Sequence, residues 1–226
     1  MERKKALDTR KLVLLAIFMA IVAVLQLLGS FIRFGPFSVS LVLMPIVVGA
    51  ALMGVYAGGL LGLTFGFVVL LSGDAAPFMA VNPAATIFVV LLKGLLAGAA
   101  AGAAYKLIAG GENENGGAVQ QKAADDEKPG INVLRKMFAD RNKTIAVIFA
   151  AVACPVVNTG VFITGGYLFF LQTITQWGAG EGFATATAYI FLGMVSFNFL
   201  FELALNLVLS PVIVRLIHYW QARRIN

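Results

Sequence analysis

Residues 12–32, 34–73, 75–92, 144–180 and 182–201 contain no Asp, Glu, Lys or Arg. That absence constrains the fold more than any other feature. A helix needs about 20 predominantly apolar residues to cross the hydrocarbon of a bilayer. The chain is 60% hydrophobic and only 12% charged, where a soluble domain is roughly half apolar and a quarter charged. The sequence therefore predicts an all-α integral membrane protein.

Charge placement then predicts which way it faces. The basic residues fall into three groups: Arg3, Lys4, Lys5, Arg10 and Lys11; then Lys106, Lys122, Lys128, Arg135, Lys136, Arg141 and Lys143; then Arg215, Arg223 and Arg224. Only Arg33 and Lys93 stand apart. Positive residues mark cytoplasmic flanks. Six spans with both termini and the long polar loop on the cytoplasmic side satisfy the pattern, whereas seven would place the C-terminal arginines outside. The outer loops then carry only Arg33, Asp74 and Glu181 as charges. A sequence pI near 9.6 is explained by this anchoring, and the basic residues are not interleaved with aromatics as a nucleic-acid surface would require.

The whole of 1–226 reads as a single membrane domain with a flexible cytoplasmic loop at about 109–130. The first span is predicted over Lys11–Phe31, retained rather than cleaved, because its apolar run passes twenty residues without an Ala-x-Ala cleavage pattern. A loop with Arg33, Gly35 and Pro36 follows. The second and third spans cover Ser40–Leu52 and Ala57–Leu71, with a turn supplied by Gly54, Gly58 and Gly59. Ser72–Asn82 reads as an outer loop. Pro83 at a first helical position, with Asn82 as cap, opens a fourth span to Ile108. Ile131–Ala139 is predicted as a short interfacial helix, with Ile131, Leu134 and Phe138 on one face. A fifth span runs from Asn142 to Leu171, kinked or interrupted at Pro155 and Gly165-Gly166. A loop holding Trp177, Gly178, Gly180 and Glu181 leads to a sixth, long helix from Phe183 to Tyr219, with Pro211 as a kink.

Small residues recur at helical spacing: Ala16, Ala20 and Ala23; Gly54, Gly58 and Gly62; Gly94, Gly98 and Gly102. Such faces let helices approach closely in lipid, where packing drives association. Within the bundle they pack helix on helix; on the first span the strip is free to face another subunit. Cys154 is the only cysteine, which excludes an intramolecular disulfide, and it reads as a small core residue. His218, the only histidine, sits beside Tyr219 and Trp220 as part of an interfacial aromatic belt.

The polar groups at membrane depth are the candidate site. Charge there is expensive and is paired or functional. Lys93 lies near mid-bilayer, and Glu202 is its only ionisable counterpart within the spans. Pairing with Glu202, contact with backbone carbonyls, and binding of an anionic ligand group are three open explanations. Asn158, Thr159, Thr164, Asn198 and Asn206 add uncharged groups; Asp74 and Asn82 sit at the outer mouth; Phe162, Tyr167, Phe169, Phe170 and Trp177 crowd the outer half. Apolar walls with a few directed polar groups describe a small-molecule pocket. No G-x-x-x-x-G-K-[ST] motif and no His–Glu metal pattern is present, so the chain is not read as an enzyme, and any uphill transport draws its energy from an ion gradient or an ATPase partner.

Four features together resemble a known family: the six-span layout, the Ala16-x-x-x-Ala20 pair, SGDAAPFMAVNPAATIFVVLLKGLLAG (Ser72–Gly98) and CPVVNTGVFITGGYLFF (Cys154–Phe170). The chain resembles the substrate-binding S-components of bacterial energy-coupling factor (ECF) vitamin transporters, and around Asn158-Thr159-Gly160 it looks most like the pantothenate-type group. The resemblance implies capture of a small water-soluble vitamin from outside, with pantothenate ahead of riboflavin or folate. It implies a multi-pass protein of the bacterial cell membrane, partnered by a membrane coupling subunit and two cytoplasmic ATPases. ATP would be used by those partners, with no cofactor in this chain. Ala16, Ala20 and Ala23 would face the coupling subunit. Asp74, Asn82, Lys93, Asn158, Thr159, Tyr167, Asn198 and Glu202 would be the substrate-binding set. The alternative reading is a stand-alone ion-coupled secondary transporter using Lys93 and Glu202; a further alternative is a scaffold in which the two form a structural pair.

Overall fold

The computed structural model describes residues 9–31, 33–34, 37–38, 42–109, 129–196 and 198–209. The first helix, α1, is Thr9–Gly29. A two-residue antiparallel ladder follows, β1 (Arg33–Phe34) against β2 (Phe37–Ser38), with Arg33 opposite Ser38. Gly35 and Pro36 lie outside the described residues.

Helix α2 is Leu43–Met53 and α3 is Val55–Ser72. The turn between them is Gly54 alone, at φ 94° and ψ −176°, a conformation open to glycine and very few other residues. Gly58 and Gly59 were expected to share that turn. Instead both are buried inside α3, because the break needs one glycine and the neighbouring ones are used for packing. At about 1.5 Å per residue, α2 is too short to cross a bilayer of about 30 Å. Gly73, in the left-handed region at φ 81°, ends α3, as glycine commonly does at a helix terminus.

The stretch read as an outer loop contains a short helix, α4, Ala76–Val81. Pro77 stands in its first turn, where a missing N–H costs nothing. Helix α5, Pro83–Ala109, matches its expected bounds, and Ala85 N–H donates to Asn82 Oδ1 at 3.1 Å, which is the predicted cap. Residues 110–128 of the predicted cytoplasmic loop lie outside the described residues, while Pro129 and Gly130 already belong to the next helix.

That helix, α6, runs from Pro129 to Phe169 without a break. The separate interfacial helix over Ile131–Ala139 is therefore its first part. Pro155 and Gly165-Gly166 do not interrupt it: Gly165 is buried against Val89 and Gly166 against Ile174. The region around Trp177, expected as a loop, is helix α7, Leu171–Gly180; its buried Ile174 and Gly178 hold it against the bundle despite the glycines. The last segment is not one long helix. It consists of α8, Ala186–Ala188, a π-helical stretch over Tyr189–Val195, and α9, Asn198–Leu209, bent by 40°. Pro211, Arg215, His218, Tyr219, Trp220, Arg223 and Arg224 lie outside the described residues.

Among the described residues, four helical segments are long and apolar enough to cross a membrane: Lys11–Gly29, Val55–Ser72, Pro83–Ala109 and Asn142–Phe169. The bent pair 186–209 makes a fifth if counted as one. Helix α5 is the centre of the bundle, packed along α3 on one side and α6 on the other. Its contact with α3 is made backbone to backbone. A Cβ on Gly62 would meet the carbonyl oxygen of Gly94, and one on Gly94 the carbonyl oxygen of Gly62; Gly58 and Gly98 stand in the same reciprocal relation. The main core joins Val22, Leu43, Ile46, Leu61, Phe65 and the fully buried Cys154. A second cluster gathers Phe78, Phe170, Ile174, Tyr189 and Ile190. Many large apolar side chains point outward, such as Leu12, Ile17, Val24 and Leu28 on α1, as befits a surface solvated by lipid tails.

Candidate functional site

The bundle leaves a cavity of about 90 Å³ between these two cores, room for several waters or part of a small ligand. Six of the eight sequence-selected residues line it: Asp74, Lys93, Asn158, Thr159, Asn198 and Glu202. They come from the turn between α3 and α4, from α5, from α6 and from α9, so the site exists only once the bundle is assembled.

Lys93 is half-buried, one face of its surroundings apolar and the other acidic. Its Nζ lies 5.4 Å from the ring centroid of Phe65 and 5.7 Å from that of Phe162, within the range at which a ring face attracts a cation. It also interacts electrostatically with Glu202 and, less strongly, with Asp74. Glu202 is buried, with its backbone carbonyl accepting from Asn206 Nδ2 at 2.9 Å.

Asp74 is held by the sequence around it. Gly73 turns the chain, and Asp74 Oδ2 then accepts from Ser72 Oγ at 2.9 Å. It accepts a second bond, at 2.8 Å, from Gln26 Nε2. Gln26 was not anticipated. It is 1% exposed and lines the cavity from α1, and a lone amide in an otherwise apolar span was the signal that could have found it. Asn158, on α6, is also buried. Gln26 Oε1 and Asn158 Oδ1 are buried acceptors that find no donor among the described residues. Buried polar atoms are nearly always hydrogen-bonded, so both atoms mark where a ligand or water donor belongs.

Two selected residues stand apart. Asn82 is exposed and is occupied as the cap of α5. Tyr167 donates its hydroxyl proton to Thr187 Oγ1 at 2.9 Å and packs with the second cluster. The wall is instead made by Phe65, Phe78, Phe162 and Phe199. Phe78, from α4, meets Phe162, Phe170 and Trp177 edge-on at 5.8, 5.0 and 5.3 Å, a preferred aromatic geometry. That fixes the short helix over the cavity. On α1, Ala16 and Ala20 are exposed and Ala23 is half-buried, so the strip leaves most of its small-residue face unused by the bundle.

With this geometry in place, comparison with known families is decisive. The model of the family "ECF transporter, substrate-specific component" matches residues 10–214. This chain belongs to that family. No curated protein matches the chain in sequence. The ECF substrate-specific component described here is thus a multi-pass membrane protein of substrate uptake, from a family of transport proteins rather than enzymes.

Proposed function

We propose that this substrate-specific component captures a small water-soluble vitamin in the cavity between α1, α3, α5, α6 and α9. The observation that carries the reading is that polar residues from five separate segments converge on one cavity with apolar walls, the arrangement of a small-molecule site. Asp74, Lys93, Asn158, Thr159, Asn198 and Glu202 are its proposed binding groups, joined by Gln26. Asn82 and Tyr167 then serve the fold, as the cap of α5 and as a tie to Thr187.

Pantothenate is the substrate that the sequence likeness brings forward. Its carboxylate would find a counter-charge in Lys93, and its hydroxyl and amide groups would find partners in Asn158 and Asn198. A specific observation favours a second reading. Four phenylalanines in the wall suit a flat ring such as that of riboflavin or folate.

The family match supports the rest of the reading. A membrane coupling subunit and two cytoplasmic ATPases would spend ATP on release, with Ala16, Ala20 and Ala23 on α1 as the coupling face. The chain would form one domain of six spans in a bacterial cell membrane, with both termini and the loop near 109–130 in the cytoplasm. Titration of the purified protein with a panel of B vitamins tests the binding half; co-purification with the coupling subunit and ATPases tests the other. Uptake into proteoliposomes driven by a proton or sodium gradient, without any ATPase, would instead establish a stand-alone secondary transporter.

A further inference from the structure

We infer that the cavity selects a flat ring ligand that donates hydrogen bonds and carries no net negative charge. This rests on the reading of the chain as a vitamin-binding component, but it sets the ring reading ahead of pantothenate and leaves folate out of it.

Charge is the first ground. Among the described lining residues Lys93 is the single cation, and it faces two carboxylates, Asp74 and Glu202. A ligand carboxylate would place a third anion around one ammonium group, away from bulk water, where like charges repel more strongly. Lys93 has no need of it. The carboxylates already interact with its charge, and the rings of Phe65 and Phe162 lie within reach of its Nζ.

Hydrogen-bonding capacity is the second. Gln26 is 1% exposed and Asn158 6%, and each presents an acceptor with no donor among the described residues. The orientation of the Gln26 amide is not arbitrary. Its nitrogen must face Asp74 Oδ2, 2.8 Å away, since an oxygen there would repel the carboxylate. Oε1 is thereby left as an acceptor. The fixed acceptor Gln26 Oε1, with the Asn158 amide lining the same cavity, asks the ligand for an N–H or O–H donor. A ligand of acceptors alone would leave Gln26 Oε1 buried and unpaired, which is penalised.

Shape is the third. Phe65, Phe78, Phe162 and Phe199 offer ring surface from four different elements. An acyclic chain gains little from it, whereas a planar heterocycle gains offset or edge-on ring contacts.

The experiment titrates the purified full-length chain with riboflavin (neutral ring), thiamine (cationic ring), folate (neutral ring with an anionic tail) and pantothenate (anionic, acyclic). Riboflavin or thiamine is expected to bind at least about 100-fold more tightly than pantothenate or folate. Tightest binding by pantothenate or folate overturns the inference while leaving vitamin capture intact. Binding by none of the four overturns both. The second arm measures the preferred ring ligand on Asn158→Leu and Gln26→Met, with the unfolding midpoint of each ligand-free variant recorded separately. A loss of at least about 10-fold in affinity is expected in both. Unchanged affinity in a folded variant overturns the role of that acceptor. Asn206→Leu is the control: its amide oxygen is likewise buried without a donor among the described residues, yet it does not line the cavity, and affinity should hold.

Discussion

Gln26 Nε2 donates to Asp74 Oδ2 across 2.8 Å, and this one bond ties the last turn of α1, the least buried of the four candidate spans, to the turn that opens α4. Only 22% of the α1 span is buried inside the molecule, so few other contacts fix its rotation. A buried amide on α1 supplies what apolar side chains in lipid cannot, a directional constraint. Asp74 in turn sits beside Gly73, whose φ of 81° sets the direction in which the chain leaves α3.

Replacing Gln26 by Met keeps the volume and removes the donor. A hydrogen bond to a charged group contributes about 1.5–3 kcal/mol, and a loss of that size is expected in thermal unfolding of the ligand-free protein. Asp74→Asn should lose less, since an amide still accepts from Gln26 and Ser72. Equal midpoints for Gln26→Met and the parent would show that the bond does not hold α1.

The glycine seam between α3 and α5 gives a sharper contrast. A Cβ on Gly62 would meet the backbone of Gly94, which cannot rotate away, whereas one on Gly160 would meet nothing within 4 Å. Gly62→Ala should therefore force the two helices apart and cost about 1–3 kcal/mol, as overpacking does. Gly160→Ala should be neutral, or stabilising by up to about 1 kcal/mol through helix propensity. Unfolding midpoints of the two variants, measured side by side, decide it; a reversed order would refute the seam.

Lys93 and Glu202 supply a third test. Lys93→Met removes the single cation among the described lining residues and leaves two carboxylates facing one cavity. Adding Glu202→Gln to that variant should restore part of the lost stability, because the two residues interact electrostatically. The coupling expected from a double-mutant cycle is about 0.5–3 kcal/mol. Strict additivity of the two losses would mean that Lys93 is held by Asp74, Phe65 and Phe162 rather than by Glu202.

These residues also show what the chain discloses before it folds. Lys93, Glu202, Asn158 and Asn198 stood out because polar groups in apolar spans are costly anywhere. Gln26 obeys the same rule, yet its importance depends on a partner 48 residues away, and no local pattern encodes that. Helices α1, α3 and α5 were legible from uncharged length and from Asn82-Pro83. Helices α4 and α7 were not, because Pro77, Gly178 and Gly180 are local breakers. Burial of Phe78 and Ile174 outweighs them, and burial belongs to the assembled bundle. The π-helical stretch over Tyr189–Val195 carries no sequence signature of its own, although it delivers Met194 and Val195 to the cavity.

Asn82 separates a structural role from a binding one. Its side chain accepts from Ala85 N–H at 3.1 Å and is absent from the cavity lining. Asn82→Ala should cost about 0.5–2 kcal/mol of stability, the range for a lost helix cap, with ligand affinity unchanged. Asn82→Ser should recover most of the loss. A fall in affinity with normal stability would return Asn82 to the binding set.

The orientation implied by the basic residues is testable because the chain's one cysteine is silent. Cys154 is fully buried, so a membrane-impermeant maleimide should not label the parent protein. A new cysteine at either end of a span then reports its side. Gly180 suits the outer position, since a Cβ there meets nothing within 4 Å. Lys106 is exposed in the last turn of α5 and suits the inner one. Gly180→Cys should label in intact cells, and Lys106→Cys only after permeabilisation, as positive flanks on the cytoplasmic side require. The opposite pattern would invert the molecule in the bilayer and put the turn at Asp74 on the cytoplasmic face.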